Sequence, residues 1–269
     1  MTRLDPDFNS AARRWRSIWI SDTHLGTRGC KCQLLLDFLR HNESEYLYLV
    51  GDLIDGWKLR RGWFWPQEHN DVVQKVLRKV RHGTKAFFIP GNHDEFARDF
   101  LGLNVGDIDI LPFTIHVTAD RKRLLVIHGD QFDGVMKYAK WLAHLGDSAY
   151  EFALRLNGGF NWLRRKLGLP YWSLSKYLKL KVKHAVNFIS DFECALAAEA
   201  RRQGVDGVVC GHIHHPEIRD IDGILYCNDG DWVESCTALV EDFDGSLQLI
   251  HWQIASQTSA STNATTTVG

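Results

Sequence analysis

The chain has no apolar run long enough to span a bilayer and no signal-peptide pattern, so the expectation is a protein of the cytoplasm. It also lacks a disulfide-like cysteine rhythm: Cys30, Cys32, Cys194, Cys210, Cys227 and Cys236 are scattered through apolar stretches, as in a reducing compartment. Cys30-Lys31-Cys32 is the one close pair, and with no second pair beside it, it reads as the start of a helix rather than a zinc site. Arg13-Arg14-Trp15-Arg16 has the look of a twin-arginine signal, but a first strand follows directly at Ile18 to Asp22, so the arginines read as a solvated strand entry. There is no internal repeat and no excess of either charge: the net charge of −1 favours no partner for the chain as a whole.

What the chain does have is length and apolar content, 269 residues at 45% hydrophobic, enough for one large α/β domain. It also has one repeated piece of grammar. An apolar strand runs out into a Gly, Asp, Asn or His at Ile18-Trp19-Ile20-Ser21-Asp22-Thr23-His24, Tyr48-Leu49-Val50-Gly51-Asp52, Phe87-Phe88-Ile89-Pro90-Gly91-Asn92-His93-Asp94, Leu124-Leu125-Val126-Ile127-His128-Gly129-Asp130 and Val208-Val209-Cys210-Gly211-His212-Ile213-His214. Open α/β sheets bind ligands at the carboxyl ends of their strands. Five strand ends thus offer oxygen or imidazole donors.

Between these strands, apolar spacing predicts helices over Gln33 to Arg40 and through Val72, Val73, Val76, Leu77 and Val80. Trp57 to Pro66 reads as an aromatic loop, and Phe113 to Val117 with Arg123 to Ile127 as a hairpin. Strands at Ile224 to Cys227, Ser235 to Glu241 and Leu247 to Ile254 have hairpin-like spacing. The expected organisation is a core over 1–134 whose first 14 residues are loosely held, a helical insertion over 135–203, the rest of the core over 204–254, and a disordered Ser/Thr-rich tail over 255–269.

Asp22 and His24 alternate, so an extended strand end points both side chains the same way, and His212 with His214 repeats the arrangement. With Asp52, Asn92 and His128 they make seven donors, too many for one zinc ion and suited to two adjacent divalent cations. Oxygen and imidazole donors favour Mn²⁺, Fe²⁺, Zn²⁺ or Co²⁺ over a soft ion without choosing among them, and Mn²⁺ is the ion expected. Asp52 is the candidate bridge, its negative charge offsetting the repulsion between the cations.

Asp22-x-His24, Gly51-Asp52-x-x-Asp55, Gly91-Asn92-His93-Asp94, His128-Gly129-Asp130 and Gly211-His212-x-His214, in this order, resemble the calcineurin-like metallophosphoesterase superfamily. Gly-Asp-Leu-Ile-Asp and the helical insertion are similar to its UDP-2,3-diacylglucosamine pyrophosphatase branch. The resemblance implies a four-layer αββα sandwich. It implies one metal on Asp22, His24, Asp52 and His214, the other on Asp52, Asn92, His128 and His212, and His93 beside the leaving oxygen. One position departs: the well-known lipid A pathway members carry arginine where this chain has His93, which leaves the metal chemistry intact and bears on the substrate.

The chemistry expected is attack on phosphorus by a water that two cations activate, with His93 donating to the leaving oxygen and Asp94 orienting it. Asp55 and Asp130 are expected to orient ligand histidines. In the insertion, Lys137 to Lys183 carries ten Lys or Arg against Asp147 and Glu151, a local charge of +8, interleaved with aromatics. Such a segment suits a lipid-linked substrate and the cytoplasmic face of the inner membrane, with Trp162, Arg164, Arg165, Lys166 and Trp172 as candidate contacts; a solvated helical cap is the plainer alternative. A phosphodiesterase or phosphatase acting on another phosphorylated molecule, or on nucleic acid through the same basic patch, is the second function class. A non-enzymatic scaffold is the third, and it has no use for seven donors and His93. The sequence does not specify the oligomeric state.

Overall fold

The structure, a computed structural model, describes residues 12–135 and 189–253. Each βα step builds on the spacing of its apolar residues. Strand β1 (Arg13–Ile20) leads into α1 (Cys32–His41), β2 (Asn42–Val50) into α2 (Gly56–Arg61) and α3 (Gln67–Arg81), and β3 (Lys85–Ile89) into a 3₁₀ turn over Glu95–Phe100. Short strands β4 (Asn104–Val105) and β5 (Ile108–Ile110) precede the hairpin β6 (Thr114–Val117) and β7 (Arg123–Val126). After a helix over 189–202 come β8 (Gly207–Cys210), β9 (Glu217–Ile221), β10 (Ile224–Asn228), β11 (Thr237–Glu241) and β12 (Leu247–His251).

The strands form two mixed sheets, one in the order β12-β11-β1-β2-β3-β5-β4 and one in the order β6-β7-β8-β10-β9. Strands β1, β2, β3 and β5 run parallel in the first, and β7, β8 and β10 in the second. The expected α/β sandwich of two mixed sheets is therefore what the chain forms. Strand alternation divides the core: Ile18, Ile20, Leu47 and Leu49 pack with Leu35, Phe38 and Leu39 of α1 and Val72 and Val76 of α3. Trp19, Tyr48, Val50 and Ile89 cluster with Leu124, Val126, Val209 and Cys227 of the other sheet. At roughly 25 cal/mol per Å² of apolar area buried, these two layers supply most of the driving force for the fold.

Polar groups also join the sheets. Glu241 accepts from Arg16 Nη1 on both oxygens at 2.8 Å and from Ser17 Oγ at 2.6 Å, and His116 Nε2 lies 2.8 Å from Glu241 Oε2. Tyr48 Oη and His116 Nδ1 complete the chain at 2.8 Å. Burial favours the neutral acid, but His116 and Ser17 outweigh it and hold Glu241 below the usual carboxylate range.

Several expectations need correction. Arg13 and Arg14 pair with Asn42 and Glu43 in the sheet rather than belonging to a loose end, and the Arg13 guanidinium lies 3.7 Å from the Trp15 ring centre. The aromatic loop begins as α2 because Asp55 caps it, accepting from Lys58 N at 2.8 Å. Strands β10 and β11 do not form a hairpin: β10 pairs with β8 and β9, and β11 with β1 and β12. The segment between them crosses from one sheet to the other and is tied down where Trp232 N donates to Asp22 O.

The chain divides into two units, Met1–Asp130 with Ala197–Gly269, and Gln131–Leu196. The first holds both sheets. Trp162, Arg164, Arg165, Lys166 and Trp172 lie outside the described residues, as do the tail over 255–269 and residues 1–11. Among the described residues, no helix is long and apolar enough to cross a membrane.

Candidate metal centre

The five strand ends converge. Asp22 and His24 follow β1, Asp52 and Asp55 follow β2, Asn92 to Asp94 follow β3, His128 follows β7, and His212 and His214 follow β8. The backbone is strained to aim them. Of the nine non-glycine residues with positive φ among those described, five are Asp22, His24, Asp52, His212 and His214, with φ between 48° and 71°. Each such residue costs on the order of 1–3 kcal/mol, so the surrounding structure has to hold it there. Gly51, at φ +77°, leaves room for the imidazole of His128, which a Cβ would strike.

Two groups of donors result, Asp22 with His24 and His214, and Asp52 with His128 and His212; within each, the donor atoms lie within 4.8 Å of one another. Asp52 also groups with His24 and His93, so it lies between the two sets. His214 Nε2 is 3.0 Å and His24 Nε2 3.7 Å from Asp22 Oδ1, while His128 Nε2 is 3.5 Å from Asp52 Oδ1 and His24 Nε2 3.9 Å from Asp52 Oδ2. His128 Nδ1 lies 2.9 Å from Val50 O, which turns Nε2 toward the centre. Asp55 Oδ2 does the same for His24, 3.4 Å from its Nδ1.

Whether cations fit is answered by what these atoms lack. Asp52 Oδ2, Asn92 Oδ1 and His128 Nε2 are buried and take no hydrogen bond, and Asp22 Oδ1 has histidine nitrogens beside it. A buried polar atom without a partner costs about 1–3 kcal/mol, and three of them on the loops at these strand ends fit divalent ions bound by oxygen and nitrogen. Charge agrees. Burial alone would raise Asp22 and Asp52, yet the histidines beside them, His214 and His24 for Asp22 and His128 for Asp52, hold both well below the usual carboxylate range. Burial would lower His24 and His128, yet the carboxylates push each up to about 10, with Asp22 and Asp55 acting on His24 and Asp52 on His128. A cation entering this field takes the place of those protons.

His93 sits in the same centre. Its Nε2 is 3.9 Å from Asp52 Oδ2 and its backbone N–H donates to Asp52 Oδ1 at 2.8 Å. Trp57 covers one face of the ring, centroids 4.2 Å apart. Two expectations are corrected here. Asp94 does not orient His93: its carboxylate accepts from the backbone N–H groups of Gly91 at 2.6 Å and Leu53 at 2.7 Å, knitting the β2 and β3 loops together. Burial, with Asp52 adding to it, pushes Asp94 up to about 6. The residue against His93 is Asp55, with Oδ2 3.1 Å from Nδ1. Asp130 pairs instead with Arg98 at 2.6 Å, and it acts on His128 through its charge.

The sequence reading missed Asp229. Fully buried, it accepts from Ser21 Oγ at 2.6 Å, and Ser21 Oγ also reaches Asp22 Oδ2 at 2.8 Å. Burial, then the nearby Asp22, pushes Asp229 well above the carboxylate range. The signal was present, since Ile224-Leu225-Tyr226-Cys227-Asn228-Asp229 is a sixth apolar strand running out into an acid.

A mixed α/β sandwich with clustered His, Asp and Asn donors at its strand ends defines a metallophosphoesterase, a hydrolase. The chain belongs to the calcineurin-like phosphoesterase family, whose profile matches residues 16–216. It is 29% identical over 246 residues to a UDP-2,3-diacylglucosamine hydrolase of Xanthomonas campestris pv. campestris, covering 85% of this chain and 96% of that one. A protein of the same name from Haemophilus influenzae is 24% identical, covering 84% of this chain and 94% of that one. Among solved structures, a single-mutant Vps29 of Entamoeba histolytica superposes with a TM-score of 0.44 at 14% identity, covering 87% of this chain and 89% of that one.

Proposed function

We propose that this phosphoesterase hydrolyses the phosphoric anhydride of a nucleotide-linked lipid, UDP-2,3-diacylglucosamine or a close analogue, with two divalent cations, Mn²⁺ foremost. The two donor groups that meet at Asp52 carry the mechanism, and the relatives' name supports the substrate. Asp22, His24, Asp52 and His214 would hold one cation, and Asp52, Asn92, His128 and His212 the other. When bound, the pair supplies a nucleophile from water at neutral pH and offsets charge on the phosphoryl oxygens.

The chain's own residues do the rest. His93, at the edge of the centre and about one-fifth exposed, hydrogen-bonds or protonates the leaving oxygen. Asp55 holds His93 and His24 in register through one oxygen. Trp57 shields the outer face of His93 from water. Residues 135–203, with Trp162, Arg164, Arg165, Lys166 and Trp172, act as a lid that contacts acyl chains and the cytoplasmic face of the inner membrane.

His93 itself favours a second reading, since the lipid A pathway members carry arginine there: hydrolysis of another phosphodiester or phosphomonoester. The deciding experiment incubates purified, Mn²⁺-loaded protein with UDP-2,3-diacylglucosamine in mixed micelles and, separately, with bis(p-nitrophenyl) phosphate, following phosphorus by NMR. Conversion of the anhydride signals into two monoester signals supports the lipid reading. An untouched anhydride beside rapid diester turnover selects the second.

A further inference from the structure

The close cysteine pair gains from the fold a partner that the sequence did not show. Cys30 and Cys32 bracket the start of α1, and their sulfurs lie 2.9 Å apart. His69, near the start of α3 and 2% exposed, brings a ring nitrogen to them, so that three donor atoms from two separate elements fall within 4.8 Å of one another. None of the three belongs to the phosphoesterase centre. All three line one cavity of about 430 Å³, whose wall also includes Glu68 and Lys31.

We propose that Cys30, Cys32 and His69 form a separate site for a thiophilic divalent cation, Zn²⁺ by its chemistry. Two thiolates and one imidazole are a recognised zinc donor set, and the fourth position opens into the cavity, where water or the Glu68 carboxylate completes a tetrahedron. The softness of the thiolates sets this site apart from the oxygen and imidazole centre. Gly26 N donates to His69 Nδ1 at 2.9 Å, so without a cation Nδ1 is unprotonated and Nε2 carries the proton; a cation on this imidazole displaces the Gly26 hydrogen bond. A tetrahedral ion at about 2.3 Å from each sulfur needs the sulfurs roughly 3.8 Å apart, so the pair opens by rotation about the Cα–Cβ bonds. The adjacent Cys32, then burial, push the Cys30 thiol far above its ordinary range, so without a cation Cys30 stays protonated. Binding therefore releases the Cys30 proton.

The test is a Co²⁺ titration of reduced, chelator-stripped full-length protein, because cobalt on thiolate gives a near-ultraviolet charge-transfer band that an oxygen and imidazole centre does not. One equivalent showing the band is expected. The band should persist in Asp52→Ala and in Cys194→Ser, a control at an exposed cysteine, and vanish in Cys30→Ser/Cys32→Ser. His69→Ala should weaken the cobalt that gives the band by at least tenfold while keeping the sulfur signal. As a check independent of variant folding, Zn²⁺ should protect Cys30 and Cys32 of the parent protein, but not Cys194, from alkylation read by peptide mass. A parent protein with both thiols free and no band overturns the proposal, as does a band that survives the double serine variant or an unchanged affinity in His69→Ala.

Discussion

Asp55 makes three contacts with one carboxylate, and an isosteric change separates them. Oδ1 accepts from Lys58 N at 2.8 Å to cap α2, while Oδ2 faces His93 Nδ1 at 3.1 Å and His24 Nδ1 at 3.4 Å. Asp55→Asn keeps an oxygen for the cap, where Asn and Asp are about equally good, so the melting temperature should hardly move. It removes the negative charge that faces both imidazoles. Partners of this kind typically contribute 10–100-fold to activity or metal affinity, or about 1.4–2.7 kcal/mol. Asp55→Ala should add the loss of the cap, about 1 kcal/mol, and lower the melting temperature by roughly 2–4 °C. The assay is kcat on the diester substrate across a Mn²⁺ titration, which divides the loss. The His24 share is recovered at saturating metal and the His93 share is not. Combining Asp55→Asn with His93→Ala should then cost little more kcat at saturating metal than His93→Ala alone. An Asp55→Asn enzyme with the parent's kcat and metal affinity would refute the orienting role, and full additivity in the double variant would refute the link to His93.

Other outcomes follow from the same geometry. Asp52→Ala should lose both cations and all activity, since Asp52 joins donor groups on both sides; elemental analysis that still finds two equivalents of metal overturns the bridge. His93→Ala should keep both cations and lose turnover roughly 10²–10⁴-fold, less for a nitrophenol leaving group that needs no proton. Reversing charge at Arg164, Arg165 and Lys166 should weaken binding to anionic vesicles by about 1 kcal/mol per residue and spare hydrolysis of a small diester; unchanged vesicle binding would leave the insertion a plain cap.

The site was legible in the sequence because its donors sit at strand ends, where a short-range pattern of an apolar run and then Gly, Asp or His marks the place. Legibility stopped where side chains choose between partners. Asp94 and Asp130 stand one residue and two residues from His93 and His128, yet Asp94 goes to backbone amides and Asp130 to Arg98, because loop curvature decides which donor lies in reach. Asp55, 38 residues from His93 in the chain, is the residue that meets it. The same limit hid the β10 to β11 crossover: spacing reports that two strands are near in sequence, while which sheet each joins depends on distant partners, β8 and β9 for β10, β1 and β12 for β11. Strands β4 and β5 escaped notice because two or three residues carry too little periodicity.

Lys79 lies far in chemistry from the catalytic question and gives a stability test with a definite sign. Its side chain is 1% exposed, its ammonium pairs with Glu43 at 2.8 Å, and it also donates to Asn42 O. Burial nevertheless prevails over Glu43 and lowers its pKa to about 8. The folded protein therefore gives up this proton at a lower pH than the unfolded chain, whose lysine titrates near 10.4. Between those values the unfolded state binds more protons, so stability rises with pH. Put the other way, the charged ammonium costs folding free energy at neutral pH, and that cost is relieved as pH climbs through 8. The relief between pH 7 and 9.5 amounts to about 2 kcal/mol. Other lysines, tyrosines and thiols titrate in the same range, so the measurement is a difference: denaturant midpoints of the parent and of Lys79→Met, similar in volume and uncharged, at both pH values. The parent should gain on the variant by that amount. Two curves that stay parallel would mean that Glu43 and the Asn42 carbonyl fully offset the burial of the charge, and the lowered pKa would be refuted.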